Sequence, residues 1–559
     1  MSKSICFVQS VKEIKFILNK LDKKIIFLPL DLSTQIYCIV NKLNFYNPIN
    51  YIGKDFHQRS LLYSEKLIQE LKFGNLDSES QKKEVKAVVR FRFHSIAFIL
   101  ELIKNLKKSE KLEELIISGW DEYYGQFSEK NHFISYLILK LIKDVKIICL
   151  KKIEHLNFLK YQPQDFIINK PKLSKNKKNV IITNLGYNFL KIILSLQKKN
   201  ITIICPEFEK INLFKKIIFK LLGVKFIKFN KKFEKKNNII EYPSIKFFYN
   251  NKDLSEVLNF RLNQEKNNFE KLKNQSEAIE NFFKKVEIKT VITNLTKGVY
   301  GHFVDSAKIN KVRSICIPHG TLSESFNEYD KIYKETIAEA ITNYNSTIHV
   351  SQSEISNKFY EQRKSNFQTV VKSGNLIFNC DKKNKNKNKK ILYAVTMKDF
   401  ESIQLLGVEM YYEFLENLFF LQNFSKKNNI KFIIKLHPIN YKNLNDLEKI
   451  FKNLEFSVAR IRNSFDNVFA TISFSSTAIE DSLNSKCPVI LLDRWNRYEH
   501  CKAEKNENMK NMPIYYVSNE TSLKNCINTI SNSDSINFEN YVSKNLSKNN
   551  IEELLKNYL

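Results

Sequence analysis

Four places in the sequence bring chemically competent side chains to the end of a short apolar run. Residues 317–321 read IPHGT, which sets His319 beside Gly320 and Thr321. Residues 433–438 read IIKLHP, so Lys435 and His437 fall at a strand end that Pro438 terminates. Residues 472–478 read ISFSSTA and place Ser473, Ser475, Ser476 and Thr477 at a strand-to-helix junction, with Glu480 and Asp481 in the first helical turn. Residues 489–494 read VILLDR and end in Asp493 and Arg494. Hydroxyls and free backbone N–H groups at a helix start favour negative charge, and a histidine on a neighbouring strand end can donate to a phosphate oxygen. Taken singly, such a serine is an N-cap and such a histidine a structural residue. Together in one half-domain they read as a nucleotide phosphate site.

Glycine directs attention to the same strand ends. The chain has only 11 Gly in 559 residues, against a usual share of about 7%. Gly298, Gly301, Gly320 and Gly374 nevertheless fall close together, each at or just beyond the carboxyl end of a predicted strand, where a left-handed turn or a close backbone approach calls for glycine. Gly320, Gly374, Asp493 and Arg494 are therefore expected at a cleft.

The elements that must position these residues fall into three blocks. Residues 1–172 alternate strand-like runs (24–30, 145–150) with helical stretches (60–73, 133–142), an α/β region of unknown role. Residues 175–380 show predicted strands at 179–183, 200–205, 290–294, 313–318, 346–350 and 369–372, with a helix at 304–310. Residues 390–520 repeat the rhythm, with strands at 390–396, 430–436, 467–473 and 488–493 and helices at 402–423, 444–454 and 476–484. Short apolar runs alternating with helices predict βαβ units and parallel sheets covered on both faces. The charged run at 381–390, DKKNKNKNKK, has nothing to bury and reads as an exposed connection, while residues 521–559 read as helices packing back on the second block. The expected fold is α/β: a GT-B-like pair of Rossmann-type doubly wound domains, with an additional α/β region before them, sharing a ligand cleft at the strand ends.

Charge first suggests another class. The net charge of +31 comes from 90 Lys+Arg against 59 Asp+Glu, and a basic face is the usual footprint of nucleic-acid binding. Only ten of the basic residues are Arg, and the Lys alternates with Asn and Ile throughout. We read this as a compositional background on solvated faces, with an anionic membrane surface as a further partner and no nucleic acid expected. The nine Cys show no metal-ligand spacing, and several lie in apolar runs, as Cys205 and Cys316 do. No signal-peptide core and no unbroken run of about 18 apolar residues is present, so a cytoplasmic protein with peripheral membrane contact is expected.

The KLHP element, followed some 35 residues later by the SFSSTA element, resembles the HP and SS motifs of GT-B bacterial glycosyltransferases that make capsule and surface polysaccharides. These include capsular Kdo transferases, sialyl- and polysialyltransferases that use CMP-activated sugars, and CDP-glycerol glycerophosphotransferases. The PHG element at Pro318, His319 and Gly320 is similar to an HG motif of the acceptor-side half. The likeness spans residues 285–500. It implies that His437 and Ser475 or Ser476 hold the donor phosphate and that Glu480 reaches the ribose hydroxyls. It further implies a nucleotide-activated sugar as substrate, a glycan or lipid-linked acceptor, and no cofactor or metal. The first block has no counterpart in that family.

Glycosyl transfer of this type needs fixed donors for the leaving phosphate and, where the reaction inverts, a general base on the second-block side of the cleft. Asp305, His302, His319 and Glu324 are the candidates, with His319 favoured as a cleft residue. Two further groups stand apart: Trp120 with Tyr123 and Tyr124 reads as a turn packed on the core rather than a sugar-stacking platform, and Arg494, Trp495 and Arg497 read as donor contacts or surface salt bridges. The alternatives are a UDP-sugar transferase or epimerase of the same shape, and a non-enzymatic basic protein that binds nucleic acid or anionic surfaces.

Overall fold

Strand residues that alternate between two apolar faces build the centre of the molecule. In a computed structural model, the protein is described for residues 4–559 apart from 22–23, 120–121, 125–128, 132, 152–164, 172, 174–175, 187–188, 208–212, 233–240, 296–297, 321, 343, 379–389, 398–406, 462–463, 466–467 and 543–546. A seven-stranded parallel sheet runs in the order Lys225–Ile227, Ile201–Pro206, Lys178–Ile182, Thr290–Thr293, Arg313–Cys316, Ile348–Ser351, Val370–Lys372. Ile181, Ile204 and Val291 face one core with Phe282 and Phe303, while Val180, Ile182 and Ile292 face another with Phe189 and Ile192. Successive side chains point to opposite faces and helices cover both, so both faces are largely apolar, and the polar strand residues Thr202, Thr293, Ser314 and His349 are buried with them.

A second large parallel sheet of six strands runs Glu455–Ser457, Lys431–Lys435, Lys390–Ala394, Ala470–Ser473, Val489–Leu492, Ile514–Val517. Counted along the chain, both sheets follow the order 3-2-1-4-5-6, with a seventh strand added to the first. This is the Rossmann order, in which the strand sequence reverses beside strand 1 and leaves a crevice at the carboxyl ends of strands 1 and 4. The pair of Rossmann-type domains expected from the sequence is thus present.

The first block forms its own four-stranded parallel sheet, ordered Ile26–Pro29, Ser4–Val8, Glu114–Ile117, Lys146–Cys149. Its longest element is the helix Glu79–Glu110, opened by a reciprocal cap between Ser78 and Gln81. At 32 residues it is about 48 Å long at 1.5 Å per residue, and it packs against Gly298–Ile309 and Ser255–Gln264 of the second block. Arg90, buried at its middle, bonds Glu65 at 2.8 Å and Glu339 at 2.7 Å. The same block also meets the six-stranded unit: the Tyr411 hydroxyl donates to the Pro29 carbonyl at 2.8 Å and Ser33 donates to Asn443 at 2.9 Å. One continuous apolar core holds Phe93 and Leu115 of the first block with Tyr411 and Ile472 of the third. The first block therefore braces both Rossmann units.

Several elements differ from the sequence expectation. The helix expected at 402–423 runs Tyr411–Asn428, and 398–406 lie outside the described residues. The helix expected at 304–310 begins at Gly298 and carries Gly301 and His302 inside it. The charged run lies outside the described residues except for Lys390, as does Trp120. Of the two last helices, Glu520–Ser531 buries Leu523 and Cys526 with the six-stranded unit, whereas Ser547–Tyr558 crosses back and buries Ile551, Leu554 and Leu555 on the seven-stranded one. Among the described cysteines, seven are buried, Cys149 is exposed, and all are free thiols. No helix among the described residues is long and apolar enough to cross a membrane.

Candidate functional site

The crevice of the six-stranded sheet is open. A cavity of about 430 Å³ sits at its switch point, lined by the end of strand 1 (Ala394, Val395), the end of strand 2 (Lys435, His437, Pro438) and the turn after strand 4 (Ser476, Thr477). Lys431–Lys435 and Ala470–Ser473 both pair with Lys390–Ala394, so the His437 and Ser476 loops rise on either side of one strand. Pro438 has no N–H for a further strand bond and opens the 3-10 turn Pro438–Asn443 instead. The Lys435 ammonium is held over the mouth, donating to the Leu436 carbonyl at 2.7 Å and to the Tyr441 hydroxyl at 3.2 Å. The Ser476 hydroxyl accepts from the Ala478 N–H at 3.1 Å.

Arg460, exposed on the loop after Glu455–Ser457, also lines this cavity, as does Tyr441, whose hydroxyl donates to the Val458 carbonyl at 3.0 Å. Sequence reasoning missed both. The available signal was the scarcity of arginine: two of only ten, Arg460 and Arg462, follow one short strand. Lys435 and Arg460 bring two positive charges and Asp481 one carboxylate to a concave surface that His437, Ser476 and Thr477 also line, a net cationic, hydroxyl-bearing setting that suits a phosphate group.

Other residues expected at the donor site turn away from this cavity. The Ser473 hydroxyl is buried and donates to the Ala394 carbonyl at 3.2 Å, joining strands. Ser475 donates to the Gly407 carbonyl. Glu480, expected at the ribose, is buried behind the turn and accepts from the Ser353 hydroxyl of the seven-stranded unit at 2.6 Å. Burial raises its carboxyl from 4.5 to about 7. The reason is geometric: the helix starts at Ala478 rather than at the expected 476, and it carries position 480 on the side that meets Ser353.

Asp493 and Arg494 are likewise built into the fold rather than the cleft. Asp493 accepts from the backbone N–H groups of Trp495, Arg497 and Tyr498 and from the Tyr516 hydroxyl, which closes the loop after strand 5. The Arg494 guanidinium donates to the Glu416 carbonyl at 3.0 Å and lies over Phe420. Arg497, read from the sequence as a donor contact or a surface ion pair, is buried with Glu413 at 2.5 Å and stacks on Phe474. Desolvation of Glu413 pushes its carboxyl up, partly offset by that guanidinium.

The candidate bases separate in the same way. The Asp305 carboxylate accepts from the Ser80 hydroxyl at 2.6 Å and N–H at 3.2 Å, and from Asn345 at 2.9 Å, so it anchors the long helix of the first block. His302 is fully buried one turn before it, with Nδ1 3.4 Å from the Ser78 hydroxyl, and burial lowers its pKa to about 4. Neither faces the strand-end crevice. Gly298 opens their helix at φ +57°, a left-handed conformation that suits glycine.

His319 does sit at a strand end, half-buried, with Nδ1 2.8 Å from the Asn294 carbonyl. A carbonyl only accepts, so Nδ1 donates to it and the ring's orientation is fixed. Gln352 holds the surrounding loops: its Nε2 donates to the Pro318 carbonyl at 2.9 Å and its Oε1 accepts from the Leu376 and Ile377 N–H groups at 3.2 Å each. Glu324 and Gly374 line a second cavity of about 640 Å³, between the ends of strands 6 and 7 of this sheet and the Cys501–Lys502 loop of the other unit. Lys358, Lys372 and Lys502 face Glu354 and Glu539 there. Gly374 turns at φ +69°, a left-handed conformation that suits glycine. Gly320 has no such φ; its Cβ would crowd Ile341 at 3.2 Å. Among the described residues, no group of three or more His, Cys, Asp or Glu could hold a metal ion.

No family model matches this sequence, and no curated protein does. Among solved structures, the chain is similar to the UDP-GlcNAc 2-epimerase of Methanocaldococcus jannaschii in complex with UDP-GlcNAc and UDP, at 16% identity over 68% of this chain and 99% of that one, TM-score 0.42. It is similar also to the UDP-GlcNAc 2-epimerase of Neisseria meningitidis bound to UDP-GlcNAc, at 14% identity over 68% and 99%, TM-score 0.37. A third likeness is to the wall teichoic acid polymerase TagF, at 13% identity over 68% and 88%, TM-score 0.32.

Proposed function

We propose that the chain is a GT-B-type transferase of surface-polysaccharide assembly. It takes a sugar, or glycerol phosphate, from a cytidine nucleotide and passes it to a glycan or lipid-linked acceptor. The observation that carries this reading is the open cavity at the switch point of the six-stranded sheet, where His437, Ser476, Thr477, Lys435 and Arg460 converge. On this reading the enzyme works in the cytoplasm, at the inner face of the membrane.

The chemistry follows from that cavity. The bond between the transferred group and the nucleotide phosphate breaks, and negative charge develops on the departing oxygen. Donors already fixed around the phosphate stabilise that charge without reorganising at the moment of reaction. The acceptor hydroxyl forms the new bond and must lose its proton. On this reading His319, whose ring the Asn294 carbonyl orients, accepts that proton. Leaving-group stabilisation by fixed donors needs no metal in this scheme.

A thermal-shift panel of CMP, CDP, UDP and duplex DNA tests the reading. Stabilisation by CMP or CDP that disappears in His437→Ala supports it. A response to UDP alone moves the donor to the uridine series. A response only to DNA, falling steeply with salt, removes the enzyme reading altogether.

A further inference from the structure

The helix Leu213–Leu221, LFKKIIFKL, connects strands 2 and 3 of the seven-stranded sheet and turns the wrong face to water. Leu213 is 73% exposed, Phe214 72%, Ile217 48%, Ile218 39% and Leu221 82%. Most surface helices hide such residues, but here only Phe219 is buried. At about 100° per residue, the five exposed apolar side chains fill one arc of about 140°. Lys220 flanks that arc by about 20° on one side and Lys215 by about 60° on the other. Lys216 points back toward the body and is bound to Glu207 at 2.5 and 2.6 Å, which fixes how the helix is rolled.

The patch continues onto the preceding helix, Leu190–Gln197, where Leu190 is 42% and Leu194 43% exposed. Gln197 donates to the Leu222 carbonyl and ties the two helix ends together. Half-buried Lys199 and exposed Lys225 follow those helix ends in the chain.

We propose that this face docks on an anionic lipid bilayer, with the helix Leu213–Leu221 lying in the plane of the interface. An apolar arc bordered by lysines on both sides matches the acyl boundary below and anionic headgroups beside it. A protein partner would need acidic groups placed to match both lysine borders; a bilayer supplies them everywhere along its surface. The inference is independent of the nucleotide reading, because none of these residues lines either cavity.

The test is co-sedimentation of the full chain with vesicles of phosphatidylcholine alone and of phosphatidylcholine with phosphatidylglycerol. The wild type should bind the anionic vesicles and release in high salt. A Leu213→Ser, Phe214→Ser, Leu221→Ser triple variant should lose about tenfold or more in partitioning, and Lys215→Glu with Lys220→Glu should lose the preference for anionic lipid. These side chains are exposed, and an unchanged melting temperature confirms that each variant is folded. Wild-type protein that ignores anionic vesicles, or a triple variant that binds as well as the wild type, overturns the proposal. So does a wild-type dimer in size exclusion that the triple variant abolishes, which would assign the face to self-association.

Discussion

The two large sheets share one strand order and differ at the place where that order reverses. In the six-stranded sheet the switch point opens into the cavity beside His437 and Ser476. In the seven-stranded sheet the described residues at the equivalent ends are tied to one another: Thr183 donates to Thr293 at 2.8 Å, Thr293 to the Leu295 carbonyl at 2.5 Å, and His319 meets the Asn294 carbonyl. Its larger cavity lies instead beyond strands 6 and 7, against the other unit. Topology supplies the crevice, and the first few loop residues decide whether it is filled by the protein or left for a ligand.

If the open switch point binds the nucleotide and the closed one presents the base, His319→Ala should cut turnover by about 10²–10⁴-fold, measured as nucleotide release from the donor. Nucleotide-induced thermal stabilisation should stay as in the wild type. Loss of both together would show that His319 belongs to the donor site and erase the contrast.

A comparable free-energy effect, on stability alone, is expected at the loop after strand 5. Arg497→Ala leaves Glu413 buried without its guanidinium and should destabilise by about 3–5 kcal/mol, read as a lowered denaturation midpoint. An effect within about 0.5 kcal/mol would mean that the pair is solvated.

The binding arm of the contrast is sharpened by His437→Ala, which should weaken nucleotide binding by about 10- to 100-fold in calorimetric titration. Thr293→Val, at the closed switch point, should leave that affinity unchanged while costing about 1 kcal/mol of stability. Equal losses of affinity at both positions would break the comparison.

The last effect, on the pH dependence of stability, lies at the seam between the two units. Glu480 has its carboxyl raised from 4.5 to about 7. Between those values the folded chain keeps a proton that the unfolded chain has released, so this group's contribution to stability falls as pH rises through the window and then levels. Glu480→Gln should flatten that part of the pH–stability curve and leave Ser353 a hydrogen-bond partner. An unchanged curve would show that Glu480 is not desolvated.

Much of the fold was legible in the sequence because buried parallel strands must be continuous apolar runs; the runs that end at Cys205, Cys316, Ser473 and Leu492 are such strands. The cavity residues Lys435, His437, Ser476 and Thr477 were legible for a related reason, since polar side chains just past such a run have nowhere to go but the sheet's edge. The same logic misjudged Glu480, Asp493 and Asp305. A strand end shows that a residue lies at the rim; whether it faces ligand, backbone or another block depends on what packs there. Asp305 is claimed by Ser80 and Asn345, and Asp493 by its own loop.

By itself, then, the sequence determined three α/β blocks, two Rossmann rhythms and a set of strand-end polar residues, because periodicity and chain breaks are local properties. Only the tertiary structure decided that the first block braces both Rossmann units through one long helix. It also decided that only the second of the two final helices makes the return expected for both, and that Arg460 joins His437 from a loop more than twenty residues away. These facts depend on which surfaces meet, and a buried side chain takes whichever hydrogen-bond partner its neighbours leave unsatisfied.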